Sequence, residues 1–142
     1  MTRRTIAAVF LLLLCASAEL RAQEADDFMA RVAAAWRKGD AEAVTAMGDR
    51  DGISIEVEGT HVGSIAPRQA AAVLRRVFAD RETLKAVAGP ARTVAGNKRR
   101  AYAEIVWEHR ARGTTQSQKI NVFIAAARDG AVWRITEIRL MP

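Results

Sequence analysis

The sequence predicts an α+β fold in which helices group on one face of an antiparallel sheet. Three observations predict it. Apolar residues recur at helical spacing through the first half of the chain, whereas in the second half they alternate within long extended runs. Between two of those runs stands Asp129-Gly130, the dipeptide favoured in tight hairpins that join antiparallel strands. The order is helix, helix, strand, helix, then strand after strand. Segregated helices of this kind bury their apolar stripe against one face of a sheet.

The chain opens with Met1-Thr2-Arg3-Arg4, a basic start, followed by an unbroken apolar run from Ile6 to Cys15 and small residues on both sides of Leu20-Arg21. That grammar is a secretory signal. The run is shorter than the roughly 20 residues a membrane span needs. Cleavage is expected after Ala22, with Ala18 as the alternative, which leaves residues 23–142 as one domain in the periplasm or secreted. Cys15 is the only cysteine. Leu14 before it argues against lipid modification, so no stable membrane anchor is expected. Without a further cysteine, the mature chain forms no disulfide, thiolate metal site or cysteine nucleophile.

The first mature element reads as a helix. Phe28, Val32, Ala35 and Trp36 share one stripe, Arg37 and Lys38 suit the C-terminal end, and Gly39 stops it. Asp40 then caps a short second helix from Ala41 to Met47. Asp49 to Gly52 is a turn. Ile53, Ile55 and Val57 alternate with Ser54, Glu56 and Glu58 in a strand, and Gly59 to Gly63 reads as a bend or loop. Pro67 opens the third helix, which puts Ala70, Leu74, Val77 and Phe78 on one face and Arg68, Arg75 and Arg76 on another. A weak strand, Thr83 to Ala88, is broken by Gly89-Pro90. The long strands are Arg100 to Arg110, Thr115 to Arg128 and Ala131 to Leu140.

Those strands sort by parity. Ala101, Ala103, Ile105, Trp107 and His109 face inward, as do Ile120, Val122, Ile124 and Ala126. Tyr102, Glu104, Val106, Glu108 and Arg110 face outward, with Phe123 beside them. An outer face that carries Tyr102, Val106 and Phe123 is more apolar than solvent requires, and a covering partner is expected there. In the last strand Trp133 and Ile135 match in phase, but Ile138 and Leu140 fall on the opposite one. A β-bulge between them would restore a single face.

The formal net charge of the full chain is +6. Residues 81–142 hold 12 basic and 5 acidic groups, against 7 and 10 in residues 23–80. This reads as a sheet with an Arg-rich solvent face. Lys98-Arg99-Arg100 is a lone cluster beside a turn, without interleaved aromatics, and no nucleic-acid partner is expected. No metal is expected either: His61 and His109 are the only histidines. Nor does any cofactor motif appear. Glu104 and Glu108 would stand about 13 Å apart on an extended strand, too far for a glycosidase pair. No Gly-x-Ser-x-Gly elbow is present. His109 is the one nominated general base.

Four stretches carry a resemblance. They are Ala35 to Ala41 at the helix corner, Ile53 to Val57, Gln69 to Phe78, and Trp133 to Leu140. In that order they resemble the nuclear transport factor 2-like superfamily and, within it, an exported bacterial family of unknown function. The resemblance implies a strongly bent antiparallel sheet wrapped around three helices as a cone with a pocket at its open end. It also implies dimerisation through the outer sheet face. Enzymatic relatives, such as ketosteroid isomerases and polyketide cyclases, place an acid and a tyrosine or histidine deep in the cone. Here Tyr102, Glu104 and Glu108 fall on the outward set, so that pattern does not transfer.

The expected pocket lining is Trp36, Phe78, Trp107, His109 and Val122, suited to a small apolar ligand. The expected dimer face is Tyr102, Val106 and Phe123. The leading reading is a non-enzymatic domain that binds a small molecule in the cone or a protein on the sheet. The alternatives are a lyase, isomerase or cyclase acting on an apolar substrate, and a structural dimer with a filled cone.

Overall fold

The computed structural model describes residues 2–94 and 96–142, with side chains described from Ala16 onward except Ala18, Ala95 and Lys98. The side chains of the expected signal's basic start and apolar run, and Cys15 with them, lie outside the described residues.

The first helix, α1 (Thr2–Arg37), runs on through the expected cleavage region. The described side chains from Ala16 to Glu24 are exposed, and burial begins at Ala25. From there Phe28, Met29, Val32 and Trp36 are buried on one stripe. Gly39 ends the helix at φ +64°, a conformation that only glycine adopts without strain. Its N–H and that of Asp40 donate to the carbonyls of Trp36 and Ala35, at 2.9 and 3.1 Å. Asp40 then caps α2 (Ala41–Ala46), accepting from the Ala43 N–H at 2.9 Å.

Gly48 follows α2 and is buried. A Cβ there would lie 2.1 Å from Ile53 Cδ1 and 2.9 Å from the Thr45 carbonyl. Only glycine lets this backbone pass so close, and Gly48 makes an isolated bridge to Ile135 of the last strand.

Strand β1 (Ile53–Val57) pairs with β2 (Thr60–Ile65). The expected loop at Gly59 to Gly63 is thus corrected to a strand. Glu58 and Gly59 sit at φ 52° and 78°, the positive pair of a two-residue hairpin turn, and Val57 is paired with Thr60. The edge strand β2 is exposed along most of its length, so no alternation betrayed it. Helix α3 (Pro67–Ala79) buries Ala70, Ala71, Leu74, Val77 and Phe78. Gln69 Oε1 accepts from the Ala66 N–H at 3.2 Å, which secures its first turn.

The remaining strands are β3 (Arg81–Ala88), β4 (Arg92–Val94), β5 (Asn97–Ala111), β6 (Ser117–Asp129) and β7 (Val132–Met141). The sheet order is β2-β1-β7-β6-β5-β3, with β4 also on β5. The all-antiparallel expectation needs one correction. β1 runs parallel to β7, with Ile55 opposite Ile138, so the bent sheet is mixed. A hairpin turn forces opposite strand directions, but more than seventy residues separate β1 from β7 in the chain, and a long connection leaves either direction open.

The expected bulge is present. Ala125 pairs with Glu137 and Ala126 with Ile135, so Thr136 is the extra residue. Trp133, Ile135, Ile138 and Leu140 are all buried as a result. The inner face of β5 and β6 is the one parity assigned: Ala101, Ala103, Ile105, Trp107, Val122, Ile124 and Ala126 are buried against the helices.

Candidate functional site

The centre of the cone is filled. Trp36 from α1, Phe78 from α3 and Trp107 from β5 meet edge to face, with ring centroids 5.0, 5.4 and 6.0 Å apart. Phe28, Leu74 and Val122 belong to the same buried core. Of the residues expected to line a pocket, Trp36, Trp107 and Val122 are wholly enclosed at 0 % exposure, while Phe78 reaches the rim. The Trp107 Nε1–H donates to Thr83 Oγ1 at 2.9 Å, whereas the Trp36 Nε1–H has no partner among the described residues.

His109 stands next to this cluster, two residues along β5. Its ring centroid lies 4.3 Å from that of Trp107. A histidine near a strand end is ordinarily solvated, yet this one is only 4 % exposed: β5 continues to Ala111, and β3 is paired alongside it at Thr83. Neither ring nitrogen has a hydrogen-bond partner among the described residues. Burial, reinforced by the Arg81 guanidinium, holds its pKa below the ordinary 6.5. At neutral pH the imidazole is therefore uncharged, with one N–H and one lone pair unused. His61, the other histidine, is exposed on β2.

Outside the filled centre, the mouth of the cone holds a depression of about 400 Å³. Its lining brings together Arg37, Lys38 and Gly39 from the end of α1, Arg75, Phe78 and Ala79 from α3, and Arg81, Glu82 and Thr83 from β3. Arg112, beyond β5, completes it. Sequence reasoning missed Arg37, Lys38 and Arg112 as site residues. The first two look like ordinary helix-end cations, and nothing in spacing ties them to a residue some seventy positions later.

Tyr102, Val106 and Phe123 lie on the outer face of the sheet. Tyr102 stacks on Phe123 at 5.7 Å and 29°, Arg139 sits over the Phe123 ring at 5.5 Å, and Val106 is 46 % exposed. A shallow hollow of about 420 Å³ runs past Tyr102, Glu104 and Val106 to Gly89, Pro90 and Arg92. Glu104 and Glu108 do not meet: Glu104 is exposed, and Glu108 faces Lys119 at 3.9 Å. Among the described residues no cluster of histidine, cysteine and carboxylate side chains could hold a metal.

Solved structures share this arrangement. A protein with a cystatin-like fold from Novosphingobium aromaticivorans, described as like nuclear transport factor 2, is 25% identical over 99% of this chain and 90% of its own, at a TM-score of 0.58. The domain has the cystatin-like fold of the nuclear transport factor 2-like proteins. A domain of unknown function from Nostoc punctiforme aligns at TM-score 0.62 with 18% identity, over 82% of this chain and 73% of its own. A protein of the DUF4783 family from Bacteroides uniformis aligns at 0.65 with 10% identity, over 78% and 93%. The sequence matches no protein-family model and no curated protein. The shape of this cystatin-like domain alone grants no chemistry.

Proposed function

We propose that this cystatin-like domain is an exported small-molecule-binding module, with its ligand seated at the mouth of the cone against the Phe78 ring. One observation carries the reading. Paired beside Thr83, which lines a depression of about 400 Å³, the buried His109 keeps both ring nitrogens without a partner among the described residues. Buried polar groups in folded proteins are nearly always bonded, so two unbonded nitrogens on one ring call for a partner from outside the chain, a water, an ion or a ligand. The filled aromatic centre supports binding at the mouth rather than deep in the cone.

Export is supported by the grammar of residues 1–22 and by burial that begins only at Ala25. Among the described residues, no helix is long and apolar enough to cross a membrane. A second copy of the chain is the proposed partner for the outer face. The stacked Tyr102–Phe123 pair and the exposed Val106 and Val87 support that pairing.

A second reading, a lyase or isomerase, rests on His109 alone. Kept neutral and enclosed, it has the protonation state a general base needs. Binding remains the better-supported reading, because Tyr102 and the β5 carboxylates stand on the opposite face of the sheet.

Native mass spectrometry of the chain purified from an exporting host tests the proposal. The expected species begins at Gln23, or at Glu19 for the earlier cleavage, and carries a small organic molecule. A chain that keeps its first 22 residues would overturn export. A bare mass, together with Trp36 and Trp107 fluorescence unmoved by any member of a small-molecule library, would overturn binding.

A further inference from the structure

Resting on the mouth as the binding site, we infer that its ligand is a small organic anion: a ring or short apolar body on Phe78, with a carboxylate or phosphate held by Arg37, Lys38 and Arg112.

The inference comes from a charge count at the rim. Five cationic side chains line the depression, Arg37, Lys38, Arg75, Arg81 and Arg112, against one carboxylate, Glu82. Two of the five are already engaged. Arg75 pairs with Glu42 at 3.2 Å, and Arg81 pairs with Glu58. Glu82 is engaged as well, by Arg110 at 2.8 Å, with Arg112 near enough to act on the same carboxylate. The neighbouring Asp40 carboxylate is turned to the Ala43 N–H of α2. Arg37, Lys38 and Arg112 remain, with no ion pair among the described residues.

The usual explanation for cations at a helix end is that they serve the helix's own terminal carbonyls. At α1 that duty is taken by the backbone. The carbonyls of Ala34, Ala35 and Trp36 accept from the N–H groups of Lys38, Asp40 and Gly39. The Arg37 and Lys38 side chains are exposed and free for something else.

Arg112 answers the opposite objection, that the C-terminal carbonyls of α3 would repel an anion. Its Nε donates to the Ala79 carbonyl at 2.7 Å and its Nη2 reaches the Phe78 carbonyl at 3.4 Å. The guanidinium covers the negative end of the helix and keeps Nη1 for a ligand, in the planar geometry that suits carboxylate and phosphate. Phe78, 6 % exposed, gives the rest of the molecule an apolar edge to rest against. A volume of about 400 Å³ limits the ligand to a small one.

The test uses phenylacetate and its neutral amide, phenylacetamide, titrated into the mature chain by calorimetry and by amide NMR at Gly39 and Thr83. Phenylacetate should bind about ten-fold more tightly than the amide, the size of one charge-assisted contact, and added salt should erode that advantage. The double variant Arg37→Gln, Lys38→Gln should lower it several-fold, with Arg112 holding the remainder, while leaving the weak amide binding in place. Both residues are exposed, so folding is preserved; circular dichroism checks that. Equal affinity for the two probes, or an anion preference unmoved by the double variant, overturns the anion inference and leaves the mouth as the site. No binding of either probe, with Gly39 and Thr83 unmoved, overturns the anion inference, and the mouth itself falls only if the purified chain also carries no molecule and answers to no member of the library.

Discussion

The two faces of β5 obey one rule of alternation and come to opposite ends. Inward, Ala101, Ala103, Ile105, Trp107 and His109 are each no more than 4 % exposed, and together they run from small residues to an enclosed aromatic cluster. Outward, Tyr102, Glu104, Val106, Glu108 and Arg110 are half-buried or exposed. They rely on their neighbours in the sheet for what shelter they have. The inner face is held by burial, while the outer face shows surface that a second body can use. Stability should therefore reside inside and association outside.

The largest effect expected from that comparison is in the aromatic centre. Trp36→Ala removes a side chain that contacts both Phe78 and Trp107, and it should cost about 3–5 kcal/mol in chemical denaturation. A loss below about 1 kcal/mol would mean that the cone is not the core.

Next comes the helix corner. Asp40→Ala leaves the Ala43 N–H without its acceptor and should cost about 1 kcal/mol, read in the same denaturation curves. Asp40→Asn should recover most of that loss.

His109 should produce a smaller effect that depends on pH. Its folded pKa lies below the unfolded value of 6.5, so above 6.5 it is neutral in both states and costs nothing. As the pH falls below 6.5 the unfolded chain takes up the proton first, and stability drops until the folded pKa is passed. His109→Leu should flatten that part of the melting-temperature profile. An unchanged slope in the variant would assign it to other groups.

The smallest stability change belongs outside. Val106→Asp should alter unfolding by less than about 0.5 kcal/mol, as solvent-face substitutions do, yet split a dimer in sedimentation if the outer face joins two copies. A dimer that survives the substitution would move the interface elsewhere.

Much of the fold was legible because one face of each element is buried. Period-two alternation assigned the inner residues of β5 and β6, and the phase break between Ile135 and Ile138 announced the bulge at Thr136 before any partner strand was known. Helix ends were legible at Gly39 and Asp40 because capping is local chemistry. Strand β2 was not, because an exposed edge has no buried face to impose a pattern. The candidate site divides in the same way. His109 was named from its residue type, but its burial, with β3 paired beside it at Thr83, belongs to the tertiary fold.

By itself, then, the sequence determined which residues face inward and where the helices stop, since both follow from short-range periodicity and capping. Tertiary structure alone decided that β1 lies parallel to β7 and that Gly48 must be small. It alone brought Arg37, Lys38 and Arg112 to one rim. These depend on residues far apart in the chain, and no local pattern encodes which distant surfaces will meet once the core closes.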